Sequence, residues 1–322
     1  MEKVKEKKKI SLVDMYGKVG VFAIMVFLAI VFSIVNPTFL TPINLRNVLR
    51  QIVVITVVAC GEQLMLVSAM TDLSCATVLA CAGTFASYYV KATGNVFVAV
   101  IIGLAVGTAF GCLNGFVITK FDVPPFIATL ASQQIADGVI MAYTKGINVT
   151  ELPEGFKFIG QGYVGPIPTP VIIMFVLLAI TYYILNWTPM GRAIYAVGGN
   201  QNAAKASGIS VGKTKFFAAA YSGFCSGLAG ILLMARMNSG QPAAGIGTEL
   251  DAITAVIVGG TSMSGGVGSI VNAFFGSVII GMLKNFMNLM NITSPYQDIV
   301  LGFIVLIAVI ADVQMRKSQA KA

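Results

Sequence analysis

Long apolar runs separated by short polar breaks extend along almost the whole chain. Their usual length is that of an α-helix crossing a hydrocarbon core of about 30 Å. Ten such runs lie at 19–35, 52–70, 73–90, 96–119, 125–143, 166–187, 214–236, 250–264, 269–290 and 296–313. The pattern predicts an all-α polytopic membrane protein with about ten transmembrane helices.

Two junctions in this pattern are irregular. Only Thr71 and Asp72 separate the second run from the third, and the eighth run is short and ends in TSMSGGVGS. Irregular backbone at membrane depth is tolerated only where protein or a cavity surrounds it. The pattern therefore allows full or broken helices near 70–75 and 250–268.

Composition excludes a soluble domain and gives no sign of bond chemistry. Hydrophobic residues make up 57% and charged residues 11% of the 322 positions, against about 25% charged in soluble domains. All five cysteines lie inside apolar runs and histidine is absent, so we expect no metal, no cofactor and no catalytic residues. The run GISVGKT at 208–214 has the wrong glycine spacing for a phosphate-binding loop.

The basic residues predict the orientation. Ten spans place both tails on one side, together with the loop 188–213, and this side carries fourteen lysines and arginines against six on the other. The positive-inside rule then makes both tails cytoplasmic. The basic residues are not gathered on a soluble face with interleaved aromatics, so the net charge of +8 does not indicate nucleic-acid binding.

Several polar side chains fall in or beside the spans, where an acid costs about 2.5–3.5 kcal/mol at a helix centre. Those near span ends, Asp72, Asp251 and Asp298, could instead cap helices. Glu62 and Asp137 are farther from any end and could line a pathway, pair with Lys284 or have a purely structural role. The candidate pathway residues are Glu62, Asp72, Asn114, Asp137 and Asp251.

The segment GNQNAAKASGIS at 199–210 is small and polar between two apolar runs. Such a segment cannot stay in a bilayer, so we expect it on the cytoplasmic face, where a partner could bind it. This placement indicates a transporter subunit that is driven by another protein.

A resemblance adds to this interpretation. The segment GRAIYAVGGNQNAAKASGISVGKTK from Gly191 resembles the coupling segment of the ribose-type permeases of bacterial ATP-binding-cassette importers. The resemblance continues in NPTFLTPINLRNVLRQ (36–51), GCLNGFVI (111–118) and PPFIATLAS (124–132), and in GTELDAI and VGGTSMSGG within 240–290. It covers nearly the whole chain, and the last two motifs are the most specific.

The resemblance implies the membrane subunit of a type II importer for a ribose-like monosaccharide. Two permease copies, identical or sister chains, would form the path in the plasma membrane under an extracytoplasmic sugar-binding protein, with ATP hydrolysis on separate ATPase subunits. Residues 1–18 and 314–322 would be cytoplasmic tails and 19–313 the permease domain. The implied ATPase-coupling residues are Gly199, Asn200, Ala203, Ala204 and Gly208.

Departures from the family pattern leave alternatives open. Ala69, Met70 and Thr71 stand where the family has a glycine pair and a hydrophobic residue, and Glu62 and Asp137 stand where it has neutral or basic groups. One alternative is an ion-coupled secondary transporter with Glu62, Asp72 or Asp137 as ion carriers. Another is an importer of the same kind for a nucleoside, a polyol or a signalling sugar. A third is a purely structural membrane scaffold, which would not need the loop at 199–210.

Overall fold

The computed structural model describes residues 12–319; the tail residues 1–11 and 320–322 lie outside the described part. In that part the chain forms thirteen α-helices, one 3-10 helix and four strands of two residues each. The predicted all-α class is confirmed.

The helices up to the middle of the chain are α1 (Leu12–Val35), the 3-10 helix (Pro37–Leu40), α2 (Pro42–Val67), α3 (Cys75–Thr93), α4 (Val96–Lys120), α5 (Pro125–Thr144) and α6 (Glu154–Gln161). The later helices are α7 (Thr169–Trp187), α8 (Pro189–Gly199), α9 (Gln201–Ala206), α10 (Val211–Met237), α11 (Thr248–Val258), α12 (Ile270–Leu289) and α13 (Ser294–Gln319). The strands are β1 (Val149–Thr150), β2 (Tyr163–Val164), β3 (Ile167–Pro168) and β4 (Ser239–Gly240).

Each of the ten predicted spans corresponds to one helix. In the described part of the chain, six helices are long and apolar enough to cross a membrane: α2, α4, α7, α10, α12 and α13. Of the other four predicted spans, α3 and α5 are less apolar and α11 has only 11 residues. Helix α1 has 24 residues and contains the apolar stretch Gly20–Val35. The crossing of all four stays a prediction. The predicted tail boundaries fall inside helices, because α1 begins at Leu12 and α13 continues to Gln319.

Local chemistry sets many helix ends. The Asn95 side chain accepts a hydrogen bond from the Val98 amide at 3.1 Å and so caps α4. Proline occupies the first turn of α2, α5, α7 and α8, where its missing N–H has no helical partner in any case. Gly94 ends α3 in the left-handed conformation, with φ +70°.

Helix α10 lies at the centre of the bundle, and glycines let it touch its neighbours through the backbone. A Cβ added at Gly107 of α4 would lie 2.4 Å from the carbonyl oxygen of Gly223 in α10. A Cβ at Gly83 of α3 would lie 2.5 Å from the Gly230 oxygen. These small residues therefore serve close helix packing, as such residues do in membrane bundles.

The two ends of the bundle differ. At one end, here called the α6 end, the segment between α5 and α7 contains α6, β2 and β3, and β1 pairs antiparallel with β4, Val149 opposite Gly240. At the other end, here called the α9 end, α8 and the short helix α9 connect α7 to α10. Chain direction places the start of α2 at the α6 end, where the Arg50 carbonyl accepts a hydrogen bond from Arg236 at 3.0 Å.

The two irregular junctions, near 70–75 and 250–268, have different structures. Helices α2 and α3 are both full, and the residues between them, 68–74, form an irregular segment in which Met70, Asp72 and Ser74 are buried. Helix α11 is only 11 residues long, or about 16 Å at 1.5 Å per residue, roughly half a hydrocarbon core. Residues 259–269 then continue without helix toward the α9 end.

Candidate functional site

The segment around α9 has the capped geometry of a short, independent helix. The Asn200 side chain accepts a hydrogen bond from the Ala203 amide at 2.9 Å and begins the helix. Gly208 ends it with φ +80°, and its amide donates to the Lys205 carbonyl at 3.1 Å. Two of the predicted coupling residues, Asn200 and Gly208, therefore fix where this helix begins and ends.

Most of α9 is presented to the outside of the chain. Gln201, Asn202 and Ala203 are exposed, as is every residue from Lys205 to Gly208. Ala204 is different: it is 4% exposed and packs against the chain itself. The expectation that Ala204 supplies part of the fit to a partner needs correction, because its side chain faces inward at this turn of the helix.

The end of α8 is packed backbone to backbone on the rest of the bundle. A Cβ added at Gly198 would lie 1.7 Å from the Val67 carbonyl oxygen at the end of α2. The same oxygen accepts a hydrogen bond from the Gly266 amide at 2.8 Å. A Cβ at Gly266 would in turn lie 2.6 Å from the Gly199 Cα. The base of α9 is thus in direct contact with α2 and with the loop 259–269.

The loop 259–269 holds this position through glycines and side-chain hydrogen bonds. Gly260, Gly265 and Gly266 all have positive φ, between +76° and +85°, which explains the glycine-rich sequence here. Thr261 donates to the Gln63 side chain at 2.9 Å. The Tyr195 hydroxyl donates to the Gly268 carbonyl at 3.0 Å, and burial raises the pKa of Tyr195, so this phenol stays a donor.

Three of the predicted pathway residues, Glu62, Asp72 and Asn114, are brought together in a buried polar network. Asp72 accepts hydrogen bonds from the Ser74 amide at 2.9 Å, the Ser74 hydroxyl at 2.5 Å and the Ser222 hydroxyl at 2.8 Å. Asn114 donates to the Ser74 hydroxyl at 3.0 Å. The Asp72 amide lies 3.5 Å from Glu62 Oε2.

This network links four helices to the irregular segment 68–74. Glu62 lies on α2, Asn114 on α4, Ser132 on α5 and Ser222 on α10, and the Ser132 hydroxyl donates to Asn114. Glu62, Asp72 and Asn114 are each at most 2% exposed. They do not line an open path in this conformation; they hold the loop before α3 inside the bundle, with Glu62 Oε1 buried and without a hydrogen-bond partner among the described residues.

Asp251 lies elsewhere, toward the α6 end, and forms an ion pair with Lys284 of α12. The idea that Lys284 pairs with Glu62 or Asp137 is therefore wrong. A cavity of about 300 Å³ opens beside this pair. Its polar lining includes Gln51, Arg236, Thr248, Asp251, Lys284, Asn288 and Gln297. Sequence reasoning missed this cavity, because only the tertiary packing brings its residues together from five helices, α2 and α10 to α13.

Asp137 is separate from both groups. It lies on α5, is partly exposed, and has no hydrogen-bond or ion-pair partner among residues 12–319. The five predicted pathway residues thus divide into a buried network, a cavity ion pair and one outward-facing acid.

The chain is similar in sequence to permeases of known transport systems. Residues 44–309 match the family model described as branched-chain amino acid transport system / permease component. The chain is 42% identical to the ribose import permease protein of Haemophilus influenzae over 90% of this chain and 91% of that protein. It is 38% identical to the L-arabinose transport system permease protein of Escherichia coli, over 95% and 92%. It is 34% identical to the D-allose transport system permease protein of that organism, over 95% of each chain. No solved structure matches the chain.

Proposed function

The chain belongs to the family of permease components of transport systems that the matching model describes, and we propose that it is the membrane subunit of an ATP-driven importer for a monosaccharide. It is a transport subunit and not an enzyme. The observation that carries the proposal is the capped and exposed helix α9, which is fixed to the bundle through Gly198 and has the form of a docking element.

The substrate class follows from the relatives and from the site. The matched permeases are named for ribose, L-arabinose and D-allose and align over nearly their full length. Such sugars are neutral and rich in hydroxyls, so they need polar contacts in a membrane and no charge compensation. The interior acids fit this requirement, since Asp72 and Asp251 already have partners within the chain.

In the proposed arrangement the α9 end is cytoplasmic and docks on an ATPase subunit. Exposed residues such as Ala203 and Ala206 would make the contact, whereas Ala204 holds the helix on the permease. The contacts of Gly198 and Gly266 with Val67 give a movement of α9 a direct route to α2. Coupling of this kind biases a bundle between two states.

The remaining partners occupy the other surfaces. The α6 end would face an extracytoplasmic sugar-binding protein, which supplies the affinity for the sugar. A second permease copy, identical or a sister chain, would close the translocation path. An ion-coupled carrier would have no use for an exposed, capped helix such as α9, which supports the ATP-driven alternative.

A charge placed on α9 tests the proposal. Ala206→Glu adds a carboxylate to the exposed side of the helix, and a charge buried without a partner costs several kcal/mol at an interface. We expect the ATPase subunit to stop co-purifying with this variant. Ala92→Glu, an equally exposed alanine at the α6 end, is the matched control and should retain the ATPase. Equal retention by both variants would contradict docking through α9.

A further inference from the structure

Helix α5 is held in the bundle along its whole length. Its 20 residues give about 30 Å of helix, enough to cross a hydrocarbon core. Ala136 and Ile140 pack with Val78 and Cys81 of α3. Near the α6 end, the Tyr143 ring lies 4.7 Å from that of Phe85. One side of α5 is therefore packed against α3.

Polar groups lie at the middle of α5, along the edge of this packed side. Gln134 is exposed, and Gln133 and Asp137 are partly exposed. Gln133 and Asp137 are four residues apart and so lie one above the other, with Gln134 beside them. The side chains of these three residues, here called the α5 stripe, have no hydrogen-bond partner among the described residues.

Lipid is an unsuitable neighbour for this stripe. An acid at a helix centre costs about 2.5–3.5 kcal/mol on insertion scales, and such residues generally face a bundle interior or a water-filled cavity. The neighbouring helix α4 shows the contrast, because Ile101, Leu113 and Phe116 are apolar at its exposed positions. The α5 stripe therefore faces something wet or polar in the assembled protein.

We propose that Gln133, Gln134 and Asp137 line the translocation path and hydrogen-bond the hydroxyls of the passing sugar. The inference rests on the proposed function and names the residues that meet the substrate. Two amides and a carboxylate offer donors and acceptors side by side, a match for neighbouring hydroxyl groups. Gly138 leaves room beside them, since a Cβ added there would meet nothing within 4 Å.

Hydrogen bonds between the α5 stripe and the sugar would be weak enough for the sugar to pass without being held. A typical protein hydrogen bond contributes little net free energy because water competes for the same groups. No lysine or arginine lies on α5 itself, which ends before Lys145, so the stripe offers no cation to hold an anionic substrate. It suits neutral polyhydroxylated molecules.

Uptake measurements on purified importer in proteoliposomes, with ATPase and sugar-binding protein present, test the proposal. Gln134→Leu and Asp137→Leu should each slow ribose uptake between about threefold and tenfold, the loss of one hydrogen bond. Asp137→Asn keeps an acceptor and should stay within about twofold of the unmodified chain. Ile135→Leu, an exposed apolar neighbour, is the control and should be unchanged. Normal uptake in both leucine variants of the stripe would overturn the proposal.

A labelling experiment gives an independent answer. In a Cys112→Ser background, Gln134→Cys in the assembled importer should react with a water-soluble thiol reagent, and excess sugar should slow the reaction. Phe116→Cys on the apolar face of α4 should not react. An unreactive Gln134→Cys would refute the wet path along α5. If the unmodified importer takes up no monosaccharide while Gln134→Cys is reactive, the proposed substrate fails and the wet stripe stands.

Discussion

The contact between α8 and α2 gives a sharp prediction, because two adjacent glycines have opposite surroundings. An alanine Cβ at position 198 would lie 1.7 Å from the Val67 carbonyl oxygen and 2.6 Å from the Gly266 nitrogen. An alanine at position 199 would have nothing within 4 Å of its Cβ. Gly198→Ala and Gly199→Ala therefore form a matched pair.

The two substitutions should change the free energy of unfolding differently. Ordinary contact for a Cβ begins near 3.4 Å, so Gly198→Ala has to open this contact by about 1.7 Å (3.4 minus 1.7). Overpacking of this kind costs about 1–3 kcal/mol, and loss of the bond from Gly266 to Val67 would add about 1 kcal/mol. The higher helix propensity of alanine relative to glycine stabilises the helix by at most about 1 kcal/mol. Gly198→Ala should destabilise by about 1–3 kcal/mol, and Gly199→Ala should be neutral or slightly stabilising.

Thermal unfolding of the purified permease measures the difference. Cys60, Cys75, Cys81 and Cys225 are buried, so a fluorogenic thiol reagent reports the loss of native packing. Gly198→Ala should unfold at a clearly lower temperature than Gly199→Ala. Equal unfolding temperatures would refute the direct packing of α8 on α2, and with it the route by which α9 is expected to act on the bundle.

Further predictions concern the ion pair, the buried network and the orientation. Lys284→Met leaves the buried Asp251 without its counter-charge and should destabilise by about 3 kcal/mol, while the double variant with Asp251→Asn should recover most of this loss; strictly additive losses in thermal unfolding would contradict the pairing. Glu62→Gln preserves an acceptor near the Asp72 amide and should keep transport, whereas Glu62→Leu should reduce the folded yield by opening the network; equal yields would speak against a structural role. An impermeant reagent applied outside cells should label Glu154→Cys and miss Gln201→Cys, and the reverse pattern would overturn the orientation.

Much of the fold follows from the sequence because a bilayer imposes simple rules. Apolar length located ten of the thirteen described α-helices, and the polar segment 199–210 contained the exposed helix α9 with its Asn200 cap and Gly208 terminus. These features depend on residues that are neighbours along the chain, so they can be predicted from a single sequence. Helices α6 and α8 were not predicted, since short helices outside the apolar runs leave little periodic signal.

The site was harder to predict because side-chain direction depends on the tertiary packing. Glu62 and Asp137 look alike in sequence as acids within apolar runs, yet Glu62 is fully buried and Asp137 faces outward. The partner of Lys284 was likewise decided by the packing of α11 on α12. Spacing within α5 did hold a usable signal, since Gln133 and Asp137 are one helical turn apart.

Reconstitution of uptake tests the central claim most directly. Proteoliposomes with the permease, its ATPase subunit and the sugar-binding protein are given labelled ribose, and the driving force is varied. We expect accumulation only when ATP and both partners are present, with no uptake by the permease alone under a proton or sodium gradient. Gradient-driven uptake by the permease alone, without ATPase, would contradict the account.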